Sequence, residues 1–99
     1  MIAVLGTFRF PAEALDRARP LMRAVIDATL AEPGCRAYSY AEDVAEPGLF
    51  RVTELWDGRE ALQAHFAMPH VAAWAEQRAG LGFFDRRIAA YDIGEAEDL

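Results

Sequence analysis

Alternation and helical spacing divide the chain into strands and helices. Ile2, Val4, Phe8 and Phe10 fall at alternate positions, which predicts a strand from Ile2 to Phe10, ended by Pro11. From Ala12 to Ala31 the spacing becomes helical: Leu15, Leu21 or Met22, Val25 or Ile26, and Leu30 fall on one stripe. Pro20 cannot donate a backbone hydrogen bond to residue 16 and crowds the preceding turn. Ala12–Arg19 is therefore either an opening turn or the first part of a helix kinked at Pro20, while Leu21–Ala31 is helical in both cases. Glu32-Pro33-Gly34 stops it, with Gly34 free to adopt a positive φ.

Cys35–Glu42 alternates small residues (Cys35, Ala37, Ser39, Ala41) with Arg36, Tyr38, Tyr40 and Glu42, the pattern of a second strand. The acidic turn Asp43–Gly48 leads into a third strand, Leu49–Trp56, with Phe50, Val52, Glu54 and Trp56 on one face. A hairpin joins the two. Asp57 has N-cap chemistry for a helix through Met68, with Glu60 completing a capping-box-like pair. Pro69 splits this helix, and a second segment from His70 to Ala79 carries Val71 and Trp74 inward. After Gly80 and Gly82 comes a last strand, Phe83–Ile93, and an acidic tail, 94–99. The order is β-α-β-β-α-β, an α+β arrangement. Strands with apolar side chains on both faces need cover on both. Two helices supply it on one side; a second copy of the chain supplies it on the other.

Composition adds to this picture. Ninety-nine residues hold one domain, 1–99, and 54% hydrophobic content is a surplus for so small a body, again favouring a homodimer. The formal charge is −6, every basic residue is Arg, and there is no Lys or Asn. Scattered arginines on an acidic domain exclude the basic stripe that nucleic acid requires and disfavour an anionic membrane surface. No apolar run approaches the roughly 18 residues of a membrane span. Met1–Leu5 lacks a positively charged segment before it and reads as strand rather than signal peptide, so the expected compartment is the cytoplasm. Cys35 is the only cysteine, which excludes an internal disulfide.

Few residues can carry chemistry. His65 and His70 bracket Pro69 in His65-Phe66-Ala67-Met68-Pro69-His70, and imidazole is the side chain best suited to moving protons near neutral pH. His65 follows Leu62 by three and His70 precedes Trp74 by four, which places each beside a buried stripe. The competing interpretation is a packed histidine and a capping histidine. A metal site needs a third ligand, and the spacing indicates none. Glu54 stands on an apolar strand face, where a carboxylate is costly unless paired; an arginine, a histidine or a ligand are its candidate partners. Tyr38 and Tyr40 either pack or line a pocket, and Arg51, Arg86 and Arg87 are rim or salt-bridge residues. Cys35 has no basic neighbour in sequence and reads as an inert thiol. No Walker loop, Gly-x-Gly-x-x-Gly, nucleophile elbow or His-Glu-x-x-His is present.

Glu32-Pro33-Gly34-Cys35 with Tyr38-Ser39-Tyr40, Phe50-Arg51-Val52-Thr53-Glu54-Leu55-Trp56, Ala61-Leu62-Gln63-Ala64-His65-Phe66 and Pro69-His70 together resemble the antibiotic biosynthesis monooxygenase domain family. The resemblance implies a dimeric α+β barrel of ferredoxin-like subunits. It also implies oxidation of a phenolic or quinol-type molecule by O₂ without metal or flavin. His65 or His70 would then be the base, Tyr38, Tyr40, Phe66 and Trp74 would wall the substrate ring, and Glu54 would orient a partner. Haem-degrading relatives carry an Asn on the first strand and a Trp and a His on the split helix. This chain has no Asn, with His65 near the Trp position and Ala75 near the His position, so haem is disfavoured. The His-x-x-x-Pro-His element is shared with relatives that isomerise a phosphorylated hydroxyketone, where Arg51 or Arg86 would contact phosphate. A dimeric small-molecule-binding or stress protein without turnover is the third reading.

Overall fold

The computed structural model describes residues 1–99. Strands β1 (Ile2–Arg9), β2 (Cys35–Glu42), β3 (Leu49–Trp56) and β4 (Phe84–Asp92) form one sheet in the order β2-β3-β1-β4. Every neighbouring pair is antiparallel. Helices α1 (Leu15–Leu30), α2 (Arg59–Phe66) and α3 (Pro69–Gly80) cover one face. This is the ferredoxin-like α+β fold with its second helix split at Pro69, as the pattern of polar and apolar positions implies.

The alternation of β1 and β3 builds the core directly. Phe8, Phe10, Phe50 and Val52 project toward the helices and meet Ala14, Ala18, Met22, Val25 and Trp74. Beside them Ile2, Val4, Tyr38, Trp56 and Leu62 form a second cluster. Complete burial of side chains of this size stabilises by roughly 1.5–3 kcal/mol each.

Helix α1 is continuous through Pro20, preceded by one 3₁₀ turn at Ala12–Ala14. The carbonyl that Pro20 leaves without its helical partner belongs to Asp16, and both residues are exposed, so water can take the missing bond. The buried stripe is rotated from the expected one. Ala14, Ala18, Met22, Val25 and Thr29 face the sheet, and Leu30 is half-exposed. The small side chains of Ala14 and Ala18 let the helix sit closer on that side.

Asp57 is not the cap of α2. Gly58 takes that position without a side-chain bond, and Asp57 pairs with Arg36 instead. Cys35 also departs from the alternation. A register shift between Cys35 and Ala37 sets Cys35 opposite Trp56, so it joins the helix-side cluster while Ala37 takes the other face.

The opposite face of the sheet has no cover within the chain. Leu5 pairs with Ala89 and Ala3 with Tyr91 there, leaving Leu5 and Tyr91 about half-exposed. Close approach of β4 depends on Gly6, where a Cβ would lie 2.1 Å from the Arg87 carbonyl oxygen. No helix is long and apolar enough to cross a membrane.

Candidate active site

The site forms where two chain reversals meet. The first is Glu32-Pro33-Gly34, between α1 and β2. Its backbone is held by Glu32 N–H donating to the Thr29 carbonyl and by Asp57 N–H donating to the Gly34 carbonyl. Gly34 sits at φ 81°, the left-handed region that suits glycine. The second is the α2–α3 junction. Met68 is extended, at φ −75° and ψ 141°, because the ring of Pro69 disfavours helical backbone before it. Pro69 then opens α3 at its first position. This break turns the end of α2 and the start of α3 toward the same point.

That point is the Glu32 carboxylate. Its Oε2 accepts a hydrogen bond from His65 Nδ1 at 2.7 Å and another from His70 Nε2 at 2.8 Å. The side chains of Glu32 and His65 are almost wholly buried, whereas that of His70 is 23% exposed. A buried carboxylate is costly without donors, and two ring N–H groups satisfy it. The His65 ring is also flanked by Trp56, Tyr38 and Phe66, with centroids 4.9, 5.5 and 5.6 Å away.

On the other side of His65 lies a small cavity of about 110 Å³, lined in part by Tyr38, Tyr40, Glu54, Phe66 and Trp74. Arg78 and Arg86 complete its polar wall. A neighbouring hollow of about 410 Å³, under α2, shares Glu54, Phe66, Arg86 and Ile88 with it. Tyr38 and Tyr40 hydroxyls are 2.6 Å apart. Burial pushes Tyr38 far above the ordinary phenol range and Tyr40 up to about 12, so both phenols keep their protons. The buried Trp74 Nε1–H makes no well-formed hydrogen bond, although it lies close enough to the Tyr40 hydroxyl to favour its phenolate.

Glu54 accepts a hydrogen bond from Trp56 Nε1 at 2.9 Å rather than pairing directly with an arginine. Burial raises its carboxyl above the usual range, opposed first by that bond and then by nearby groups that include Arg86. Arg78 lies over the Phe83 ring at 4.6 Å, and burial lowers its guanidinium somewhat. Arg51 pairs with Asp43 and does not line this cavity. Burial raises the Cys35 thiol, as an unactivated cysteine requires.

Of the residues singled out in the sequence, Tyr38, Tyr40, Glu54, His65, Phe66 and Trp74 share the cavity. His70 stands outside it and joins His65 only through Glu32. Sequence reasoning missed Glu32 as a side chain, and Arg78 entirely. The available signal for Glu32 was a carboxylate directly after an apolar stripe and before Pro-Gly.

Residues 1–77 match the family model described as antibiotic biosynthesis monooxygenase. The uncharacterized protein sll1783 of Synechocystis is 31% identical over 98 residues, covering 99% of this chain and 67% of that protein. Rv0793 of Mycobacterium tuberculosis, which carries the name monooxygenase provisionally, is 34% identical over 76 residues, covering 77% of this chain and 74% of its own. Its solved structure superposes with a TM-score of 0.86 at 27% identity, over 98% of each chain. A Deinococcus radiodurans structure bearing the same family description gives a TM-score of 0.94 at 35% identity, over 100% of this chain and 98% of that one.

Proposed function

Because the chain belongs to the antibiotic biosynthesis monooxygenase family, we propose that it oxidises a small phenolic or quinol-type molecule with O₂, using His65 as the base. Family membership supports monooxygenase chemistry in general. The observation that carries the finer reading is the bond from His65 to Glu32. With Nδ1–H donated to a buried carboxylate, the other ring nitrogen, Nε2, is left as the acceptor. The ring borders the cavity that holds the two tyrosines and Trp74.

The chemistry follows from these placements. A substrate hydroxyl in the cavity gives its proton to His65 Nε2, and Glu32 stabilises the resulting imidazolium. The phenolate carries enough electron density to reduce O₂, and a ring carbon bonds to one oxygen atom. The proton returns from His65 to the distal oxygen, and the ring carbon then loses its own hydrogen as the O–O bond breaks. A ring C–H has become C=O and the second oxygen leaves as water, so the substrate supplies all the electrons. The Tyr38–Tyr40 pair uses one hydroxyl proton in its mutual bond and leaves the other free to donate to the oxygen that gains charge. The apolar walls keep water from the peroxide. His70 acts through Glu32, and both are positioning residues.

A second copy of the chain covers the bare sheet face around Leu5 and Tyr91 in this reading. Haem plays no part in it. The test is oxygen uptake with a panel of phenols and quinols. Substrate loss should require O₂, consume one O₂ per quinone formed, and fall at least a hundredfold in His65→Ala. Equal conversion with and without O₂ would remove the oxygenase reading and leave an isomerase.

A further inference from the structure

We infer that Glu32, His65 and His70 bind a divalent ion of the zinc class, and that the bound ion takes His65 out of service as a base. The second clause rests on the proposed role of His65; the first does not. One donor atom from each residue lies within 4.8 Å of the other two. Two imidazoles and one carboxylate are the donor set of three-ligand zinc sites that leave a fourth position open. They are a poor set for Mg²⁺ or Ca²⁺, which take mostly oxygen.

The hydrogen bonds at 2.7 and 2.8 Å mark where the ion goes. It replaces the two ring protons that Glu32 now accepts. Zinc bonds of about 2.0–2.1 Å in a tetrahedral shell hold donors roughly 3.3 Å apart, so each Glu32–histidine contact opens by about half an ångström while the two imidazole nitrogens, within 4.8 Å of each other, draw together. Access comes from His70, the one partly exposed member. A surface groove lined by Glu32, Ala64 and Met68 borders the carboxylate member of the set.

Occupancy has a defined chemical consequence. With Nδ1 bonded to the ion, a neutral His65 must carry its proton on Nε2, the nitrogen assigned to the substrate. The same three residues thus hold either two protons, with Nε2 a base, or an ion, with Nε2 a donor.

The experiment titrates chelator-treated full-length protein with Co²⁺, read by visible absorption, and with Zn²⁺, read by calorimetry. Expected are one ion per chain, affinity at least about tenfold weaker in His70→Ala and in Glu32→Gln, and no change in Cys35→Ser. Circular dichroism establishes that each variant is folded. Absence of stoichiometric binding, or equal affinity in wild type and both ligand variants, would overturn the site. ¹⁵N spectra of the imidazoles should show His65 Nε2 protonated once zinc is added; an unprotonated Nε2 in the zinc-loaded protein overturns the switching clause. Binding is read without turnover, so an inactive protein would not count against the site.

Discussion

Glu32 and His65 lie 33 residues apart and meet at 2.7 Å inside the protein, where one carboxylate oxygen fixes which nitrogen of the imidazole carries the proton. Replacing Glu32 by Ala leaves the buried His65 N–H without an acceptor. The expected cost is about 1–3 kcal/mol, measured by urea denaturation. Oxygen uptake should fall more than the lost stability accounts for, because the ring can then adopt the other tautomer. Glu32→Asp, which keeps the charge on a shorter arm, should recover part of that rate and shift the pH profile. Unchanged activity in Glu32→Ala at a temperature where it is folded would remove Glu32 from the mechanism.

The tyrosine pair makes a non-additive prediction. Tyr40→Phe strips the buried Tyr38 hydroxyl of its partner at 2.6 Å and should cost about 1–3 kcal/mol. The double variant Tyr38→Phe/Tyr40→Phe removes both hydroxyls together and should lose less than the sum of the two single changes. A double-mutant cycle in denaturant checks this, and strict additivity would show the hydroxyls are uncoupled.

Glu54 sets a pH dependence of known sign. Its carboxyl is raised by burial, so the folded protein binds that proton more tightly than the unfolded chain does. The stabilisation is complete below the ordinary value of about 4.5 and is lost as pH rises through the higher folded value. Glu54→Gln stays neutral and keeps an acceptor for Trp56. Its stability relative to wild type should therefore climb between pH 4.5 and 7. The lowered carboxyls of Glu42, Asp43 and Asp85 act the other way but equally in both proteins. A difference that stays flat across that range would contradict the assignment.

Thr29 is fully buried on α1 and its hydroxyl has no partner. Thr29→Val keeps the shape and removes the orphaned polar group, so it should raise stability by about 1 kcal/mol. A fall in the melting temperature would mean that the hydroxyl has a partner in solution.

The strands were legible because alternation is local. Ile2, Val4 and Phe8 declare their face without reference to anything else in the chain. The split of the second helix was legible for the same reason, since Pro69 acts on its own neighbours. What could not be read was whatever depends on meetings between distant segments. Leu30 looked as buried as Val25, and only the tight fit of Ala14 and Ala18 against the sheet decides which stripe turns inward. Cys35 changed faces because of one extra residue at a bulge. His65 and His70 announced themselves by residue type, whereas Glu32 resembled the many surface carboxylates of an acidic chain. Its role is set by a turn between α1 and β2 that alternation and helical spacing do not describe.

The turn holding Glu32, together with Tyr38 and Tyr40, belongs to the first half of the molecule, while both imidazoles, Glu54 and Trp74 belong to the second. The boundary is the exposed Val44–Pro47 loop, and β1 of the first half lies between β3 and β4 of the second. Severed at that loop, each fragment would carry half of the proposed site and one side of an interleaved sheet. Assembly of the site would then depend on the two pieces meeting through the β1–β3 and β1–β4 pairings.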